Sequence, residues 1–165
     1  LATLQEKAEQ FKQFLPTLKK LEKQSQDSLL VETYKGSQVT RIALRDIITC
    51  LQEKGGEVLC TAVDEFIPLK KYQTLCEQYE RDMLTYHITE RVILMQGSKG
   101  IFTKGTSTYR TIPKKYFNDN PVQIYGNNIQ LLIWGNPDYL LIIRSKEAAE
   151  AYRKQFEFLW KFAKK

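Results

Sequence analysis

Residues 122–134 read VQIYGNNIQLLIW, and the way they are read decides the fold. Two apolar, β-prone runs, Val122 to Tyr125 and Ile129 to Trp134, flank Gly126-Asn127-Asn128. Gly and Asn tolerate positive φ, so the stretch predicts a tight hairpin or a bulged turn between paired strands. Such a hairpin is either the floor of a chemical site or plain scaffold, and the surrounding sequence must choose between them.

Working outward, STYRTI before the hairpin and YLLIIR after it read as further strands. Ser145 then predicts a helix N-cap, with Glu147 in the first turn of EAAEAYRKQFEFLWKFAKK and an apolar face of Phe156, Leu159, Trp160 and Ala163. Further upstream, strand and helix patterns alternate. SLLVETYK is a strand, and Gly36-Ser37 leads into a helix over VTRIALRDIITCLQEK. Gly55-Gly56 ends that helix, and EVLCTAV is a buried strand. Pro68 opens a second helix whose face carries Leu69, Tyr72, Cys76, Tyr79 and Met83, and TERVILM is the next strand. This strand–helix–strand–helix–strand order argues for a parallel sheet with right-handed crossovers. GSKGIFTKGTS between the halves is a glycine-bearing loop. The expectation is a three-layer α/β domain with a mixed sheet over residues 28–165.

The first residues are of another kind. Leu1, Leu4, Ala8, Phe11, Leu15 and Leu18 alternate spacings of three and four, the a/d seam of a coiled coil. Pro16 should kink or break that helix near Leu15. Residues 1–24 are therefore expected to be a helical stalk, either dimerising with a second copy or folded back on the domain. A chain that starts at Leu1 rather than Met is expected to come from something longer.

Composition narrows the classes. A net charge of +6 with pI near 9.1 leaves anionic partners open, although bases and acids are interspersed as in KKLEK and EQYERD, which is the pattern of a solvated surface. Cys50, Cys60 and Cys76 lie in apolar contexts without CxxC spacing, and a single His87 cannot complete a usual zinc set. The expectation is three buried, reduced thiols in a cytoplasmic protein, without metal or cofactor. No run approaches the length of a membrane span.

The stretches VETYKGSQVTRIAL, YERDMLTYHITERVILM, YRTIP, VQIYGNNIQLLIW and the closing FEFLWK resemble the C-terminal domain of TrmB-like transcriptional regulators. That domain is similar in fold to phospholipase D, and in the family a winged helix-turn-helix precedes it through a helical stalk that helps form a dimer. The resemblance implies an effector-sensing, dimerising domain, with DNA contacted by a winged helix absent from this chain. It also sharpens the question about the hairpin. Phospholipase D enzymes carry HxKxxxxD motifs on such strands: one His attacks phosphorus, a second protonates the leaving oxygen, and Lys holds the phosphate charge. Here the corresponding strand offers Val122, Gln123, Ile124 and Tyr125, and YHITE around His87 contains neither HxK nor a nearby Asp. The hairpin reads as scaffold, and the chain as a non-enzyme.

Candidate ligand positions follow from location alone. In an open α/β sheet, ligands gather beyond the carboxyl ends of parallel strands. Those ends are predicted at Tyr34-Lys35, Asp64-Glu65 and Gln96, whose side chains suit sugar hydroxyls. Arg81, Arg91 and Arg110 suit an anionic or polyhydroxy effector unless they are ion-paired, with Asp64, Glu65 and Glu32 as candidate partners for Arg110. GSKG at 97–100 and KGTST at 104–108 do not fit a phosphate-loop pattern and read as surface loop. Trp134 and Trp160 read as core or interface anchors. His87, at a helix end, reads as structural. Two other functions stay open: a divergent phosphodiesterase of the phospholipase D fold, and a stand-alone basic nucleic-acid binder. Clustering of Lys114, Lys115, Lys161, Lys164 and Lys165 on one face would support the last.

Overall fold

A computed structural model describes residues 29–63, 66–102 and 104–164, with side chains 62–71 excepted. Seven strands and three helices are formed there: β1 (Leu30–Lys35), α1 (Val39–Leu51), β2 (Gly56–Val63), α2 (Phe66–Thr85), β3 (Ile88–Met95), β4 (Ser107–Ile112), β5 (Val122–Tyr125), β6 (Asn128–Ile133), β7 (Tyr139–Arg144) and α3 (Lys146–Phe162). A short 3₁₀ turn covers Lys114–Tyr116. Residues from Val31 onward make one compact unit. The stalk positions Leu1, Leu4, Ala8, Phe11, Leu15 and Leu18 lie outside the described residues.

The hairpin forms as expected. Gln123 faces Gln130 and Tyr125 faces Asn128 across the β5–β6 ladder, so the turn is Gly126-Asn127 alone and Asn128 already belongs to β6. Gly126 sits at φ 50, which explains the glycine. The strand order is β1-β7-β6-β5-β2-β3-β4. β5 runs antiparallel to both β2 and β6, while β2, β3 and β4 are mutually parallel. The hairpin therefore joins a parallel half-sheet to an antiparallel one. The parallel sheet expected of the first three strands is corrected: β1 lies at the far edge beside β7, and β2 and β3 pair in parallel with each other and then with β4. Alternation patterns report which face a residue occupies, not which strand becomes its neighbour.

Helices cover both faces. Ile47 and Leu51 of α1, with Tyr79 and Met83 of α2, pack on Val58, Ile88 and Tyr125. Val39 and Ala43 of α1 pack on Leu132, Leu140 and Ile142. On the opposite face, Ala149, Phe156 and Trp160 of α3 cover Leu59, Ile93, Ile124 and Ile129. Each fully buried Val, Leu, Ile, Phe or Met side chain among them stabilises the fold by about 1.5–3 kcal/mol before entropy is counted.

Local signals held with small corrections. Ser145 caps α3, its Oγ accepting from the Ala148 N–H at 3.2 Å. Leu159 is exposed, however, and the buried face of α3 is Ala149, Phe156, Trp160 and Ala163. α2 breaks at Tyr72, whose hydroxyl donates to the Ser37 carbonyl. Cys60 and Cys76 are buried but Cys50 is exposed, because it faces outward near the end of α1, where the Asn128 amide donates to its sulfur. His87 occupies a left-handed turn between α2 and β3, φ 55. No described helix is long and apolar enough to cross a membrane.

Candidate functional site

The face of the hairpin beneath α1 and α2 carries polar side chains in a buried place. Gln130 has no exposed surface and Gln123 only 7%. The Gln130 amide donates to Gln123 Oε1 across the ladder. Tyr125 donates to Asp46 of α1 and sits 3.4 Å from Gln130 Oε1. Asp46 in turn accepts from Arg144 of β7 at 2.9 and 3.3 Å, and Arg144 reaches Glu32 of β1 at 2.7 Å. Burial first, then the bond to Asp46, pushes the Tyr125 phenol far above its ordinary range, so it stays protonated. The hydrogen bond to Asp46 is the largest influence holding the Arg144 charge in place. This network orients β1, β7 and α1, and offers no nucleophile.

Beside it lies a cavity of about 60 Å³ between α1, α2 and the sheet. Its wall includes Thr40, Cys76, Tyr79, Gln123 and Trp134, and it is largely apolar. Thr40 is 3% exposed, and its hydroxyl is the one buried side-chain polar atom without a hydrogen-bond partner among the described residues. Glu90, also on the wall, lies 3.4 Å from the Tyr79 hydroxyl and 3.3 Å from Ser107 Oγ. Burial and the Glu90 charge push the Tyr79 phenol well up.

The loop read as plain surface forms the outer wall of this cavity through Ile101 and Phe102. Phe102 packs on Tyr79 with ring centres 5.7 Å apart. Its N–H donates to the Tyr109 hydroxyl at 3.1 Å, and the Lys104 N–H donates to Glu80 at 3.0 Å. A Cβ on Gly100 would fall 2.2 Å from the Tyr109 ring, so only glycine permits this close pass. The loop is thus a pinned strap. Its glycines were legible in the sequence, but its anchors at Glu80 and Tyr109 were not.

The described members of the expected ligand set lie on different parts of the sheet. Tyr34 and Lys35 are on β1 and Arg110 on β4, the two opposite edges of the sheet. Tyr34 packs into the α1 side of the core, and Lys35 lies over the Tyr139 ring. Arg81 is exposed on α2 and donates to Gln78, and Gln96 is exposed beyond β3. Asp64 and Glu65 lie outside the described residues. Arg110 donates to the Trp160 carbonyl at 2.5 Å and lies over the Trp160 ring, at the sheet edge opposite the strand that carries Glu32. Arg91 pairs with Glu57 and Glu157 instead, at 2.8 and 2.6 Å. β1 lies beside β7 rather than in the parallel β2-β3-β4 half, so its end is apart from the ends of β2 and β3.

Among the described residues no group of His, Cys, Asp or Glu is placed to hold a metal. At the β4 edge, Thr111 and Lys164 exchange two backbone hydrogen bonds of 2.7 and 2.9 Å, bringing the end of α3 beside the strand.

The fold is that of the phospholipase D-like proteins. Three solved structures carry that conclusion. TrmBL2, an archaeal chromatin protein whose structure shows a novel mode of DNA binding, matches with a TM-score of 0.56 at 14% identity over 98% of this chain. This chain spans 64% of the length of TrmBL2. NucT from Helicobacter pylori matches with TM-score 0.58 and 11% identity, over 82% of this chain and 98% of its own. Nuc from Salmonella typhimurium, a phospholipase D family member, matches with TM-score 0.57 and 8% identity, over 83% and 97%. At such identities the likeness is one of fold. No family model and no curated protein matches the chain.

Proposed function

We infer that this chain is the effector-sensing and dimerising domain of a TrmB-like transcriptional regulator, a phospholipase D-like fold used without catalysis. The observation that carries the reading is the strapped cavity beside a hairpin whose polar side chains already bond one another. A phosphodiesterase of this fold needs an imidazole, a lysine two residues on, and access to water-borne substrate. Gln123 and Tyr125 on β5 supply neither group. A two-fold dimer would bring a second His87, yet the residue two places on is Thr89, so the phosphate charge would remain unmatched.

The effector enters by lifting Ile101 and Phe102, since about 60 Å³ is below the several hundred Å³ that small-molecule sites usually offer. The orphan Thr40 hydroxyl, with Gln123 and Glu90 across the cavity, suits a hydroxyl-bearing ligand. Lifting the strap breaks its bonds to Glu80 of α2 and Tyr109 of β4, which gives ligand binding a way to bias the subunit arrangement. The stalk residues Leu1 to Leu18 supply the dimer contact in this reading.

Thermal-shift and calorimetric screening against sugars, polyols and small anions tests it. A ligand that raises Tm in the parent but not in Thr40→Val, with the unliganded Tm preserved, supports the reading. Turnover of a generic phosphodiester that His87→Ala abolishes would overturn it.

A further inference from the structure

The Thr111–Lys164 pairing joins two segments that the sequence keeps about fifty residues apart. Residues 107–117, STYRTIPKKYF, contain Arg110, Lys114 and Lys115 and no carboxylate. Residues 158–164, FLWKFAK, contain Lys161 and Lys164 and no carboxylate. The two backbone hydrogen bonds and the Arg110 contact with the Trp160 carbonyl hold these segments side by side at the edge of the sheet. Lys114, Lys115, Lys161 and Lys164 are all exposed. Interspersed with them are bare rings: Tyr116 is 68% exposed, Phe162 67% and Phe158 64%. Phe158 and Phe162 form a tilted pair at 4.9 Å, and the Lys115 ammonium lies 4.7 Å from the Tyr116 ring centre.

Lysines alone at a sheet edge serve to discourage pairing with another chain. That role gives no reason to leave three large rings in water beside them, where each costs hydration free energy. Basic side chains interleaved with exposed aromatic rings match a different demand. Phosphates need cations along a track, and unpaired bases need flat apolar partners to stack upon. A duplex presents phosphates but keeps its bases stacked internally, so it would use the lysines and ignore the rings. An acidic polypeptide would do the same.

We propose that the β4 edge and the end of α3 form a docking surface for single-stranded nucleic acid. Lys114, Lys115, Lys161 and Lys164 contact its phosphates, while Tyr116 and Phe162 stack on its bases. The surface reads no sequence, because every base has a π-face. It lies on the α3 side of the sheet, away from the cavity under α1 and α2, and does not depend on an effector.

The test is fluorescence anisotropy of the full 165-residue chain with a labelled oligothymidylate, and with a duplex of the same length, across a salt series. The single strand is expected to bind more tightly, with affinity falling steeply with salt. Lys114→Ala and Lys161→Ala should each lower the salt slope by about 0.7. Tyr116→Ala should weaken the single-strand complex about fivefold or more and leave duplex binding unchanged. Lys54→Ala, in the turn after α1, is the control and should change neither. Absence of single-strand binding at low salt would overturn the proposal, as would equal losses in the control. Duplex binding as tight as single-strand binding, or displacement by polyglutamate as effective as by unlabelled oligonucleotide, would overturn it too. These substitutions are at exposed positions, so the fold is retained and the result reports binding.

Discussion

Arg144 and Asp46, 98 positions apart in sequence, meet at 2.9 Å beneath α1. Both are largely shielded, and Asp46 also accepts from the buried Tyr125. Replacing Asp46 by Ala orphans a guanidinium contact and a phenol at once. The expected cost is about 2–3 kcal/mol, between the values for exposed and fully buried pairs. Urea melts of Asp46→Ala, Arg144→Met and the double variant check it. The double variant should cost clearly less than the sum of the singles, since Arg144→Met leaves Asp46 without its cation and Asp46→Ala leaves Arg144 with Glu32 alone.

The Gln123–Gln130 bond makes a similar asymmetric prediction. Gln130→Leu alone leaves a buried amide oxygen without its donor and is expected to cost about 1–3 kcal/mol. Changing both to Leu removes the need for the bond and should recover much of that loss. A double variant as unstable as the sum would show that contacts outside the pair, such as the Tyr125 hydroxyl with Gln130 Oε1, carry the loss.

Gly100→Ala tests the strap. The new Cβ would lie 2.2 Å from the Tyr109 ring, so either the ring or the loop must move. Faster amide exchange at Phe102 and Lys104, whose N–H groups are held by Tyr109 and Glu80, is expected, with protection in β2 and β3 unchanged. Uniform loss of protection would mean that the strap is part of the core rather than a cover.

Acid stability carries a sign. The Arg91 hydrogen bond holds the Glu157 carboxyl below its ordinary 4.5. A lowered folded-state value contributes stability that is present above the unfolded value and is lost as pH falls through the folded one. Stability should therefore decline below about pH 4.5, and Glu157→Gln should flatten that part of the profile without changing its neutral-pH limb in direction. A steeper acid limb in the variant would contradict the assignment.

Thiol chemistry separates the three cysteines. Burial, then the Asp46 charge, raises the Cys50 thiol above its ordinary 9.0, although it remains exposed enough to react. In the native protein Cys50 should label first, slowly at neutral pH and faster as pH rises past 9. Cys60 and Cys76 should label only on unfolding.

What the sequence determined by itself was local and periodic. The hairpin at Gly126-Asn127, the Ser145 cap and the buried Cys76, Tyr79 and Met83 of α2 follow from residue types at fixed spacings, because φ preference, capping and helical period act over a few residues. The absence of His and Lys on β5 was likewise a matter of reading letters. Tertiary structure alone decided the rest. That β1 crosses to β7 and separates Tyr34 from Arg110 depends on the order of strands, which alternation does not encode. That Arg110 meets Trp160, that Phe102 roofs a cavity, and that Lys164 comes to lie beside Thr111 all depend on contacts across tens of residues. Such contacts form wherever packing and backbone pairing bring two segments together, and no short stretch of either segment carries a record of its partner.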